Sequence, residues 1–362
     1  MPKGVQRRFV KRFLHNRVSG RKLPFFGSVE ATRRCNSRCS FCPIGNERQE
    51  FKKGEMTTEE FKKVFDQFAD FDLIVTSFLG GEPTLRKDFA ELGHYAREKG
   101  LITQAVTNGL TLADHTDEYT RAIDNLVVSL DTLDPQKYKE IRGVDKFDDV
   151  VEGIEAAVNV SKKNKCVVVL NTVICSANMS EIPDIVKYAK RIGAGGIMVD
   201  FATFHDYWTT MTDEHSTYDP KKMDWRRDSK GVQKLVRQLM AMKKEYPILT
   251  SRSYLKTFLT GDFDYTCHPY LFCCVNRLGE IAIPCWDSKI TKFYSLLDGK
   301  SLREIWRMPE VVASRKAVKD CKSCYMHCIV EPSKVVGEPF HNLGDLMEWI
   351  GVMRKNGKAI MG

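Results

Sequence analysis

At 362 residues, 43% of them hydrophobic, the chain can bury a full core as one large domain with a smaller one attached. Its net charge of +9 is lopsided: Lys3, Arg7, Arg8, Lys11, Arg12, Arg17, Arg21 and Lys22 put +8 into residues 1–22, where there is no acid, leaving about +1 elsewhere. No apolar run approaches the roughly 18 residues of a membrane span, and twelve cysteines behind a basic N-terminus without a signal-like apolar core favour reduced thiols or metal sites in a cytoplasm over a disulfide framework.

Residues 1–24 read as a basic amphipathic helix. Val5, Phe9 and Phe13, and also Val10, Leu14 and Val18, recur at i, i+4 beside a dense cationic face. Such a helix either lies peripherally on an anionic membrane surface or packs under the fold with its charges in water. Nucleic acid is not expected as a partner, because the aromatics are apolar-face Phe rather than interleaved stacking groups.

Residues 25–32 have strand composition and lead into Cys35-Asn36-Ser37-Arg38-Cys39-Ser40-Phe41-Cys42. Three thiolates on so short a loop can hold three corners of a [4Fe–4S] cube, and with no fourth cysteine nearby one iron stays open for chemistry. A zinc knuckle or three unrelated core thiols is the plainer alternative. A second buried strand, residues 73–79, runs into Gly80-Gly81-Glu82-Pro83, where two glycines permit close backbone approach and Glu82 offers an acceptor for an ammonium group.

The cysteine loop and the glycine motif together resemble the radical S-adenosylmethionine superfamily. The resemblance implies an α/β fold, a partial (β/α)6 TIM-like barrel over residues 25–250. It implies that Cys35, Cys39 and Cys42 hold the catalytic [4Fe–4S] cluster, that Gly80 to Pro83 bind the methionine part of S-adenosylmethionine, and that Phe41 shields the cluster or the adenine. The implied chemistry draws one electron from a reducing partner of flavodoxin or ferredoxin type. It splits the sulfonium bond, and the 5′-deoxyadenosyl radical then abstracts hydrogen or adds to a double bond.

Further strand-like runs at 101–106, 125–130, 166–170 and 196–201 alternate with helices in a parallel-sheet rhythm, whose strand ends would carry the site. By the resemblance, Ser129, Asp131 and Asn108 at those ends contact the ribose or carboxylate of the cofactor; as plain sequence they are loop and cap residues. Cys166 and Cys175 read as small core side chains.

From residue 262 the texture becomes turn-rich, and an auxiliary domain is expected over 251–335 with an amphipathic tail over 336–362. Cys321-Lys-Ser-Cys324-Tyr-Met-His-Cys328 spaces thiolates as ferredoxin-type ligand runs do, and a hairpin around Gly279 delivers Cys285. A structural zinc site is the rival reading. The region is similar to the SPASM/twitch auxiliary domain, which implies one auxiliary [4Fe–4S] cluster held by Cys285, Cys321 and Cys324, with a fourth ligand from Cys267, Cys328 or the pair Cys273–Cys274. Adjacent cysteines in an extended segment face opposite ways, so at most one of that pair should ligate.

Gly20-Arg21-Lys22-Leu23-Pro24, Cys267-His268-Pro269, Pro284-Cys285 and the run from Cys321 to Glu331 are similar to the hopanoid adenosyl-transfer family, which acts on a membrane lipid. That likeness implies a lipid substrate at a membrane surface; a peptide or protein maturase is the alternative. His205 to Trp208 is the candidate substrate segment, and the stretch from Leu346 to Lys355 a candidate second interfacial contact.

Overall fold

The computed structural model describes residues 3–19, 22–204, 210–261, 265–286, 288–322, 324–339 and 341–348. Strands β1 (Phe26–Thr32), β2 (Val75–Gly80), β3 (Ile102–Thr107), β4 (Asn125–Ser129), β5 (Val167–Ile174) and β6 (Gly196–Phe201) pair in parallel, each with the next. Between them run helices α2 (Thr58–Asp70), α3 (Phe89–Glu98), α4 (Leu112–Ala122), α5 (Pro135–Arg142), α6 (Phe147–Asn164) and α7 (Ile182–Ile192). This is the expected α/β architecture. Both faces of the sheet are dry, as parallel strands require: Phe78, Ala105, Leu126, Val128, Val168, Leu170, Ile197 and Val199 face the helices, whereas Val127, Val169 and Met198 face inward with Val106. The period of two along each strand assigns the side on which later polar residues fall.

Helix α2 shows how local sequence fixes an element. Thr57 and Glu60 form a reciprocal capping box, and Phe61, Val64, Phe65 and Phe68 recur on one fully buried face. Each such side chain contributes about 1.5–3 kcal/mol by leaving water.

The cysteine-rich region joins the same sheet rather than standing beside it. Strand β7 (Phe272–Val275) pairs in parallel with β1, and β8 (Glu280–Ile283) and β9 (Lys292–Ser295) add antiparallel, giving the order β6-β5-β4-β3-β2-β1-β7-β8-β9. The expected hairpin is present, turning at Gly279 with a φ of +78°.

Helix α1 (Lys3–Val18) lies under the starts of the strands. Val5 and Phe9 pack with Phe25, Phe26, Ile74, Ile102 and Leu271, and with Val335, Val336 and Leu346 from the C-terminal segment. Many of its cations are structural: buried Arg12 donates to the carbonyls of Pro24, Phe71 and Asp72, Arg8 pairs with Asp72 at 2.9 Å, and Arg17 donates to the carbonyls of Val336 and Gly337. The apolar stripe read from the sequence is therefore two rows. Val5 and Phe9 are buried, while Val10, Leu14 and Val18 are 52%, 56% and 87% exposed. No helix among the described residues is long and apolar enough to cross a membrane.

Candidate active site

The loop after β1 is seated from three sides. Arg33 pairs with Glu30 and Glu47, Asn46 Nδ2 donates to the carbonyls of Cys39 and Cys42 at 3.0 and 2.9 Å, and the backbone N–H groups of Arg38 and Ser40 donate to the carbonyls of Arg142 and Ile141 at the end of α5. The cysteine sulfurs come near enough to influence one another electrostatically. Cys35 Sγ accepts from Ser37 N–H at 3.5 Å, and Cys39 Sγ accepts from Arg142 Nη1 at 3.8 Å. Burial pushes the Cys35 thiol up to about 11 and Cys39 up to about 12, raises Cys42, and neighbouring sulfurs add to the shifts of Cys35 and Cys39. Thiolates so placed need a strong local positive charge, as bound iron provides.

Among the described residues no three His, Cys, Asp or Glu side chains stand at the spacing of ligands around a single ion. The fit to a cluster rests on the donor set: three sulfurs on one loop, and a buried Arg142 whose Nε–H lacks a hydrogen-bond partner. Sequence reading missed Arg142. The Pro135 that opens α5 and the left-handed Gly143 that closes it mark that helix in the sequence and could have drawn attention to its last residue.

The glycine motif plays a part beyond ligand approach. A Cβ on Gly80 would lie 2.3 Å from the Thr32 carbonyl oxygen and one on Gly81 2.1 Å from that of Arg34, so the pair lets the end of β2 press against the start of the cysteine loop. Gly81 and Glu82 N–H groups donate to those same two carbonyls. Pro83 opens a buried turn. Glu82, expected to wait for an ammonium group, is already engaged: Oε1 accepts from Thr84 N–H, Thr84 Oγ1 and Thr107 Oγ1, and Oε2 from Asn108 N–H at 2.7 Å. Spare acceptor capacity remains on Oε2. Burial raises the pKa of this carboxyl.

Asn108 Nδ2 reaches Asn36 Oδ1 at 2.7 Å and Ser37 Oγ at 3.2 Å, so it ties the end of β3 to the cysteine loop. Ser129 shares the inward face of Val127 and lies in register with Asn171. Asp131, expected as a cofactor contact, meets protein partners. It is fully buried, its Oδ1 accepts from Val173 N–H at 2.8 Å, and its Oδ2 stands 2.6 Å from Arg142 Nη2. Phe41 is half-buried beneath that guanidinium, 5.6 Å from the ring centre.

In the C-terminal region, Tyr265 marks where thiols gather. Its pKa is raised by burial first, then by the sulfurs of Cys324, Cys267, Cys321 and Cys285, and Cys267 is pushed up to about 12 by burial with Cys285 and Cys321 beside it. Cys267 N–H donates to the Lys319 carbonyl, which brings the start of the region to its end. Cys328 lies exposed on the short helix His327–Pro332. Cys273 is buried on the helix side, and Cys274 points the other way, opposite Ser28. A buried polar string, unforeseen in the sequence, stitches this region to β6: Tyr254 Oη donates to Asp200 Oδ1 and the Tyr325 carbonyl, and His327 Nε2 meets Glu331 Oε2 at 2.6 Å. His205 to Trp208 lies outside the described residues, as does most of the stretch from Leu346 to Lys355.

The core is thus a parallel (β/α)6 sheet with three cysteines on the loop that follows its first strand. A profile of the radical SAM superfamily matches residues 29–189, and one for a domain of unknown function, DUF3463, matches residues 214–348. The chain is 33% identical over 168 residues to a probable GTP 3′,8-cyclase of Pyrococcus abyssi, covering 46% of this chain and 53% of that one. It is 30% identical over 221 residues to one from Thermococcus kodakarensis, covering 60% and 70%. The first curated relatives it matches are spanned over only about half their length, 42% for a GTP 3′,8-cyclase of Haemophilus influenzae. Among solved structures, Streptococcus suis SuiB bound to S-adenosylmethionine aligns with a TM-score of 0.63 at 18% identity over 85% of this chain and 70% of that one. The anSMEcpe structure with bound AdoMet aligns at 0.59 and 18%, over 83% and 86%. At such identities these structures speak for the fold alone. The chain belongs to the radical SAM superfamily, whose cofactors are a [4Fe–4S] cluster and S-adenosylmethionine; a likeness to lipid-modifying relatives is not among these matches.

Proposed function

We propose that the chain reductively cleaves S-adenosylmethionine at a cluster held by Cys35, Cys39 and Cys42, and directs the 5′-deoxyadenosyl radical at a C–H or C=C position of a lipid. One electron from a flavodoxin- or ferredoxin-type donor enters, the sulfonium C–S bond breaks, and methionine leaves. The observation that carries the reaction is the loop itself: three sulfurs lie near one another with no fourth cysteine, against a strand end that only glycines allow so close. Asn108 and Glu82 hold that loop to the barrel. Cys267, Cys285, Cys321 and Cys324 hold an auxiliary cluster in this reading.

The lipid assignment is supported by the outer row of α1. Val10, Leu14 and Val18 are exposed, with Arg7 and Lys11 exposed among them and no acid in residues 1–22. A face of this kind suits peripheral binding to an anionic bilayer. Because α1 lies under the strand starts and the cysteine loop over the strand ends, a lipid must leave the bilayer to react. A peptide substrate is the second reading, favoured by the fold shared with SuiB, which has also been solved bound to precursor peptide SuiA.

The test is anaerobic turnover of reconstituted protein with a membrane lipid extract, with peptides and with GTP, read by mass spectrometry alongside 5′-deoxyadenosine. A lipid product is expected; a peptide or nucleotide product with unmodified lipid refutes the substrate assignment, and no 5′-deoxyadenosine at all refutes the reaction. Sedimentation with anionic vesicles tests the membrane part: replacing Val10 and Leu14 with Asp should abolish binding, and equal sedimentation of variant and parent overturns it.

A further inference from the structure

The cysteine loop is built over a buried cation. Arg142 ends α5 with its side chain under the loop: Nη1 donates to Cys39 Sγ at 3.8 Å, Nη2 stands 2.6 Å from Asp131 Oδ2, and the guanidinium covers the Phe41 ring. Arg142 and Asp131 are buried almost completely and completely. A guanidinium keeps its charge in a protein, so Arg142 places a fixed cation against the Cys39 sulfur. Its Nε–H is buried without a hydrogen-bond partner.

We propose that Arg142 and Asp131 together set the reduction potential of the cluster at Cys35, Cys39 and Cys42, Arg142 raising it and Asp131 holding that rise in check. The inference rests on the cluster being held there. Reduction adds one negative charge to the cluster, and a fixed cation in a water-poor site stabilises the charged product more than it would in water. An N–H bond to a ligating sulfur acts in the same direction. Asp131 works oppositely by compensating the guanidinium, and its second oxygen is pinned by Val173 N–H, so the opposing charge is fixed in place as well. Arg142 is thus a positioning residue that acts on the reaction through the cluster. A purely structural ion pair would satisfy both partners wherever it stood; this one aims a donor at a sulfur.

The test is a redox titration of the holoenzyme by EPR, followed at the signal that S-adenosylmethionine shifts, with iron and sulfide measured for each protein. Arg142→Met should lower the ratio of reduced to oxidised cluster at a fixed applied potential by about tenfold, or about 59 mV for one electron. Asp131→Asn should shift it in the opposite sense, and Arg142→Lys should fall between Arg142→Met and the parent. Equal potentials in all proteins at equal iron content overturn the inference. If Arg142→Met does not fold, Asp131→Asn and Arg142→Lys still decide by their opposite signs. A parent protein with no S-adenosylmethionine-responsive signal would instead refute the cluster assignment, and this inference with it.

Discussion

The two cysteine groups are built in opposite ways. The first lies within eight residues of one loop, and the barrel comes to it: β2 through Gly80 and Gly81, β3 through Asn108, α5 through Ile141 and Arg142. The second is assembled from three stretches far apart in the chain, at Cys267, Cys285 and Cys321 with Cys324, and depends on the sheet extension β7-β8-β9 to meet. A local loop can carry an open, reactive site because its shape is fixed by the fold around it. A dispersed set, were it to hold a cluster, would do more to hold the fold, since it would tie distant segments together.

The sharpest way to break that comparison is to remove one ligand from each side. Cys39→Ala should abolish cleavage of S-adenosylmethionine and take iron from about eight to about four per chain, read by anaerobic assay and iron analysis, while leaving the fold intact by circular dichroism. Retained cleavage would end the catalytic assignment. Cys321→Ala should also leave about four irons, but with the S-adenosylmethionine-responsive signal preserved and the thermal transition lowered, because the loss unties segments rather than chemistry. An unchanged transition would mean that the second group is not a structural clasp.

A finer probe uses two glycines with the same backbone. Gly143 and Gly193 both end helices in the left-handed conformation, with φ of +69° and +76°. A Cβ at Gly143 would stand 2.4 Å from the Arg38 carbonyl oxygen in the cysteine loop, whereas nothing lies within 4 Å of one at Gly193. Gly193→Ala should cost about 1 kcal/mol of stability, with iron unchanged. Gly143→Ala should cost about 1–3 kcal/mol and also lower iron occupancy of the first cluster. Equal iron in both variants would show that α5 does not seat the loop.

The same contrast explains what the sequence could reveal. Cys35, Cys39 and Cys42 stand out as candidates because their spacing is all local, and the strands could be read because buried parallel strands are short apolar runs. Arg142 could not be ranked by spacing alone, since its partners Cys39 and Asp131 meet it only after β4 and α5 have folded over the loop. Asp131 follows a strand end, and its pairing with that guanidinium could not be read from its position. The N-terminal charge block was misleading for a related reason. Arg12 looks solvated in the sequence, but it is buried because the end of α2, some sixty residues on, leaves carbonyls that need a donor.

The smallest expected effect concerns Cys328, which sequence spacing places with Cys321 and Cys324. Its neighbour His327 is buried and turned toward Glu331 and Asp200, so the helix His327–Pro332 is oriented by its polar inner side and presents Cys328 outward. Turning that thiol toward Tyr265, where the other four sulfurs meet, would pull His327 off Glu331 and leave that buried carboxylate with Ser251 N–H but without its imidazole, a change costing several kcal/mol. Cys328→Ser should therefore keep about eight irons per chain, both EPR signals and full cleavage of S-adenosylmethionine. A loss of about four irons on this substitution would put Cys328 in the ligand set and require one of Cys267, Cys285, Cys321 or Cys324 to leave it.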